Sequence, residues 1–271
     1  MEKGHPRPMR SLVSLPFEGY ETSVAQALDA VGAADVLARQ KRVLLKPNLV
    51  TASPFPVTTH PAFTEAVLTY VRACSQADVL IAEGCGDARR ETPEIFRCLG
   101  YDELARRHGV PLVDLNQEVC LAVSEPGMTV FRELHLPKLA LDSFIISLPV
   151  LKAHSIAGMT GTIKNMMGFL PPSIYQGDCG TWKKNSFHAR MQASLRDLAL
   201  YLRPDLTVMD ASVGLAQYHL GGPAMEPPAM RILAGFDALA LDREAARLLG
   251  LDPQSIGHLS PQPKDGFRHN H

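Results

Sequence analysis

The 271-residue chain has no CxxC pair among its five cysteines, Cys74, Cys85, Cys98, Cys120 and Cys179. An odd, scattered set excludes a disulfide framework and argues against a cysteine-held zinc or iron–sulfur centre. Free thiols in a reducing, cytoplasmic setting are the expectation. No run reaches the roughly 18 apolar residues of a membrane-spanning helix. The first residues lack the apolar stretch of a secretory leader. Basic excess is missing too: the formal net charge is -1, so nucleic acid is not an expected partner. There is no HExxH or HxxxH pair to preform a zinc site. No internal repeat, low-complexity tract or linker divides the chain.

What is present is ordinary for a globular protein: 46% hydrophobic and 20% charged residues. The length suffices to bury a large core without disulfides. One α/β domain over residues 1–271 is expected, with its core at about 11–250 and a polar, poorly ordered tail over 252–271. Apolar runs predict strands at 11–15, 43–45, 78–82, 111–115, 143–150, 206–210 and 230–235. Helical periodicity marks 22–39, 61–74, 92–100, 102–108, 186–202 and 237–250. Alternation over 120–136 predicts antiparallel strands. Strands alternating with helices predict a mainly parallel sheet with helices on both faces, carrying a small antiparallel section.

Ligands of such sheets bind beyond the carboxyl ends of strands. Those ends carry Lys46 and Asn48, Glu83 and Asp87, Lys152 and His154, and Asp210. Lys46 and Lys152 directly follow apolar runs, and a lysine losing its solvation there pairs with a carboxylate or holds an anion. The loop Thr160-Gly161-Thr162-Ile163-Lys164-Asn165 lacks the full GxxxxGK[ST] pattern, yet its glycine lets backbone N–H groups approach an oxyanion. His154 stands between Lys152 and Lys164, whose charges favour a neutral imidazole able to accept a proton or bind a metal. Thr59 and His60 precede a helical proline, where His60 either joins the pocket or caps the helix. His188 opens a later helix as a candidate metal ligand. Asp237 is placed to cap the last helix. The resulting expectation is an anion pocket with His154 and Lys164 catalytic. Lys46, Asn48, Thr59, His60, Lys152, Thr160, Gly161 and Asn165 bind substrate, supported by Glu83, Asp87 and Asp210.

Four segments in order, VLLKPNLV (43–50), TTHP (58–61), LKAHSIAGMTGTIKNMMG (151–168) and MDASVGLAQYHLGGP (209–223), resemble the family catalogued as domain of unknown function 362. The resemblance spans about 11–250 and brings no settled activity. Some members carry a ferredoxin-like four-cysteine segment, which is lacking here, so an iron–sulfur cluster is not expected. More distantly, the chain is similar to the lactate racemase family, in which a histidine is followed ten residues on by a lysine in a glycine-rich loop. His154 and Lys164 have that spacing. The similarity implies proton transfer by His154, a nickel-pincer nucleotide anchored on Lys164, and His188 as metal ligand. The double glycine and arginine before that lysine, and the Pro-Gly after it, are absent. The leading expectation is an enzyme moving a proton on a small anionic metabolite, as a racemase or isomerase does. The alternatives are a non-catalytic nucleotide- or metal-cofactor-binding protein and an iron–sulfur accessory. A symmetric homo-oligomer is expected on general grounds.

Overall fold

In a computed structural model of the protein, residues 11–178 and 181–260 are described. Cys179 and residues 261–271 of the predicted tail lie outside them. The strands are β1 (Leu12–Pro16), β2 (Arg42–Pro47), β3 (Asp78–Glu83), β4 (Leu112–Asp114), β5 (Cys120–Val123), β6 (Leu134–Pro137), β7 (Phe144–Leu148), β8 (Val150–His154), β9 (Gly158–Thr160), β10 (Leu206–Leu215) and β11 (Arg231–Gly235). The helices begin with α1 (Tyr20–Ala30), α2 (Ala33–Leu37), α3 (Pro61–Cys74), α4 (Thr92–Cys98) and α5 (Tyr101–His108). They continue with α6 (Lys138–Leu141), α7 (Thr162–Asn165), α8 (Pro172–Tyr175), α9 (Met191–Tyr201) and α10 (Ala238–Leu248).

Alternation along β2 shows why the sheet is covered twice. Val43 and Leu45 point into one apolar cluster, with Val24, Leu28, Phe63 and Val67 of α1 and α3. Leu44, between them, points into a second cluster with Ile163, Met166, Leu195 and Leu198. Period-two side chains that are apolar on both faces can be buried only between two helical layers. The main sheet runs β1-β11-β10-β7-β2-β3-β4, with β8 on β10 and β9 on β8. The pairs β7–β2, β2–β3, β3–β4, β10–β7 and β10–β8 are parallel, whereas β1, β11 and β9 pair antiparallel. The section over 120–136 forms a separate antiparallel pair, β5–β6. The α/β fold with a mostly parallel sheet is as the sequence predicts.

Five predicted elements differ. The helix over 186–202 begins as a 3-10 helix over Asn185–Arg190, which carries His188, and is α-helical only from Met191. The helix over 22–39 breaks into α1 and α2 at Gly32, whose left-handed backbone (φ 71°) suits a residue without Cβ. The strand over 143–150 breaks at Pro149, which has no N–H for a ladder, and resumes as β8 through His154. Lys152 and His154 therefore lie within a strand and not beyond its end. Asp210 is likewise inside β10, which continues to Leu215. Residues 252–260 of the tail pack onto the fold: Ile256 and Leu259 are buried in one cluster with Leu241 and Leu249.

Candidate functional site

A cavity of about 310 Å³ opens beside the carboxyl ends of β2 and β3 and the β8–β9 hairpin. Its lining includes Asn48, Glu83, His154, Lys164, Asn165, Lys184, His188 and His219. Six of these are sequence candidates; Lys184 and His219 are not. Trp182 and Tyr218 complete the aromatic part of the wall.

Lys46 lies one layer behind the cavity. It is fully buried and ion-paired with Glu83 at 2.6 Å, and it also donates to the Pro47 carbonyl and Asn165 Oδ1. Burial lowers its pKa, and the Glu83 charge opposes that shift. Glu83 in turn accepts from the Leu49 and Gly84 N–H groups at 2.6 and 2.8 Å. Gly168 makes room for this pair, since a Cβ there would stand 2.4 Å from Lys46 Cε and 2.5 Å from Glu83 Oε1. Lys152 is also behind the wall, donating to Asn48 Oδ1 at 2.6 Å and the Val57 carbonyl at 2.5 Å. Its pKa falls to about 7, first through burial and then through the Lys164 charge. Lys184 enters from the other side and donates to the Gly84 and Gly168 carbonyls at 2.7 and 2.8 Å. Burial brings it to about 7 as well.

Lys164 differs from all three. It lines the cavity, and among the described residues its amine has no hydrogen bond and no ion pair; burial alone lowers its pKa, to about 8. α7, which carries it, is held by Asp242 of α10. The buried Asp242 carboxylate accepts from the Thr162 and Ile163 N–H groups at 2.6 and 2.9 Å. This corrects the phosphate-loop expectation: the amides after Gly161 already bind an anion, and it is the protein's own. Gly161 is needed there because a Cβ would meet Asp242 Oδ1 at 2.3 Å. Thr160 is buried away from the cavity, its hydroxyl without a partner among the described residues.

His154 and His219 stack with ring centroids 3.7 Å apart and planes inclined by 17°. His154 Nδ1 accepts from the Ile156 and Ala157 N–H groups at 3.1 and 3.2 Å. The neutral ring therefore carries its proton on Nε2. Burial, then Lys164, then the neighbouring histidines hold its pKa far below the ordinary histidine range. His219 is held to about 3 by burial and then by Lys164 and Lys152. Burial and Lys164 also lower His188. Three imidazoles thus stay neutral at pH 7 because any further positive charge would share a desolvated space with Lys164.

The other candidates lie away from the cavity lining and are held by bonds within the fold. Thr59 accepts from the Asn48 N–H and donates to the Leu148 carbonyl. His60 is exposed and caps α3 through the Ala62 N–H. Asp87 caps the turn after β3, accepting from Thr51 Oγ1 and from the Arg89 and Arg90 N–H groups. Asp210 takes a 2.7 Å hydrogen bond from Tyr20 and two more from Ser212. Thr59, His60, Asp87, Asp210, Thr160 and Gly161 do not line the cavity. Among the described residues no three His, Cys, Asp or Glu side chains gather closely enough to hold a metal ion.

Comparisons with known proteins agree with this architecture. The family described as Domain of unknown function (DUF362) matches residues 43–247. A thylakoid-associated protein of Synechocystis sp. is 28% identical over 234 residues, covering 83% of this chain and 68% of that protein. The lactate racemase apoprotein from Thermoanaerobacterium thermosaccharolyticum superposes with a TM-score of 0.52 at 13% identity, over 89% of this chain. The chain spans only 56% of that racemase, and the likeness is one of fold.

Proposed function

The chain belongs to the family of domain of unknown function 362, which fixes no reaction, and from its cavity we propose that it is an enzyme moving a proton on a small anionic metabolite, as a racemase or isomerase does. The observation that carries this reading is the Lys164 amine, lining the cavity without a hydrogen bond or ion pair among the described residues and with neutral imidazoles on the same wall. A cation so placed is satisfied by an incoming carboxylate or phosphate.

Lys164 and Lys184 hold the anion, and His154 donates its Nε2–H to it. The base is His219 rather than His154: both nitrogens of His154 are committed, whereas the His219 ring lines the cavity and stacks against His154. A metal held by protein ligands alone does not fit this donor set. The lysine-anchored nickel cofactor of the more distant resemblance meets only Lys164 and His188 here, and no step is routed through it. Free Cys74, Cys85, Cys98 and Cys120 suit a reducing compartment such as the cytoplasm. No helix among the described residues is long and apolar enough to cross a membrane.

The test is proton exchange. Small 2-hydroxy acids incubated with the protein in D₂O should gain deuterium on the carbon beside the carboxylate, and 2-oxo acids on the carbon beside the ketone, read by NMR. His219→Gln should abolish exchange and leave carboxylate-induced thermal stabilisation intact; Lys164→Ala should weaken both. Absence of stabilisation by any carboxylate or phosphate would remove the anion pocket. The fixed donor tautomer of His154 favours a second reading, a non-catalytic binder of an anionic cofactor. Stabilisation without exchange across the panel would select it.

A further inference from the structure

Each of the four lysines at this site has a distinct set of partners. Lys46 is neutralised by Glu83. Lys152 is spent on Asn48 and the Val57 carbonyl, behind the wall. Lys184 reaches the cavity, but two carbonyls fix its amine as a donor, leaving one N–H direction for a ligand. Only Lys164 presents an amine with no acceptor among the described residues, on a wall with no carboxylate near enough to perturb it. An ammonium used only for binding is ordinarily backed by an acceptor, as Lys46 and Lys184 are. A desolvated, unpaired amine among other cations has the setting of a nucleophile, with its lone pair available near neutral pH.

We infer that Lys164 forms an imine with the carbonyl carbon of a small 2-oxo acid whose carboxylate rests against Lys184. This deepens the proposed function by naming the substrate class, and it rests on that reading of the cavity. The Lys164 lone pair attacks the carbonyl carbon, forming C–N and breaking the C=O π bond. His154 Nε2–H polarises the carbonyl oxygen. His219 carries one amine proton to the alkoxide, making the hydroxyl, and then the second amine proton to that hydroxyl, which leaves as water; amine and carbonyl give imine and water with no other reactant. Protonated, the imine draws electrons from the adjacent C–H bond, acidifying the proton that His219 then removes.

The experiment is reductive trapping. Protein whose untreated intact mass equals that of the sequence is mixed with pyruvate or glyoxylate and sodium cyanoborohydride, then analysed by intact mass and peptide mapping. The expected result is one reduced adduct on Lys164, lost in Lys164→Arg and in Lys164→Met, with thermal melts confirming that at least one variant is folded. No adduct, an adduct on Lys184, labelling spread over exposed lysines, or a Lys164 already modified in the untreated protein would overturn the inference. Lactate and phosphate, which have no ketone or aldehyde carbonyl, are run in parallel by thermal shift. If they stabilise the protein and trapping fails, only the imine is lost; if neither occurs, the anion pocket is lost with it.

Discussion

Glu83 is one carboxylate with three donors: the Lys46 amine and the N–H groups of Leu49 and Gly84. It gathers β2, β3 and the loop after β2 around a buried charge. Glu83→Gln leaves Lys46 buried without its counter-charge and should cost about 3–5 kcal/mol, the range for breaking a buried pair from one side. Urea unfolding measures it; a loss under about 1 kcal/mol would mean the pair behaves as a surface one. The histidines predict an acid-side effect. With folded-state pKa values of about 3 for His219 and about 4 for His258, both depressed by burial, the native state resists their protonation. Their contribution to stability is present above the unfolded value of about 6.5 and is lost as pH falls from there towards the folded values. His258→Gln should flatten the fall in unfolding free energy between about pH 6.5 and 4; an unchanged slope would contradict a depressed His258. Lys46 and Lys152 are legible in sequence because each follows an apolar run, and His154 and Lys164 because they flank the glycine-threonine loop after the second of those runs. Lys184 in TWKKNSF and His219 in AQYHLGG are not, because their local sequence reads as polar loop. They are buried by partners about 100 and 65 positions away, Gly84 and His154.

At the scale of elements, the short helix α7 places Lys164, and α10 supplies its cap from 80 residues away. The carboxylate cap fits the positive end of a helix, but burial raises the Asp242 pKa to about 6. Because the folded value lies above the unfolded one of about 3.9, this group favours the fold most at low pH, and that contribution is lost as pH rises from about 4 through 6. Asp242→Asn should therefore remove a decline in stability over that window, seen as the difference between wild-type and variant urea midpoints. Parallel wild-type and variant curves would exclude Asp242 as the titrating group. The β7–β8 break belongs to this scale too. Composition over 143–150 is uniformly strand-like, and only Pro149 signals that the ladder partner shifts within β10.

At the scale of the molecule, order runs further along the chain than its polarity suggests. Ile256 and Leu259 complete the cluster over Leu241, Leu249 and Met159. Truncation after Leu251 should cost about 3–6 kcal/mol, from about 1.5–3 kcal/mol for each buried aliphatic side chain, and lower the melting temperature. An unchanged melt would return residues 252–260 to a dispensable tail. The same scale explains the site: the carboxyl ends of β2 and β3 and the β8–β9 hairpin meet at one rim because the central strands run parallel.

The sequence alone determined the layered α/β architecture, since apolar periodicity is a local property that each segment carries whatever its neighbours do. It also set the residue types available for an anion pocket. Which lysine is neutralised, which is spent on carbonyls and which is left facing the cavity was decided only by tertiary structure. Those pairings join Lys46 to Glu83, Lys152 to Val57 and Lys184 to Gly168 across the chain. Electrostatic energy depends on separation and desolvation in space, and spacing along the chain encodes neither.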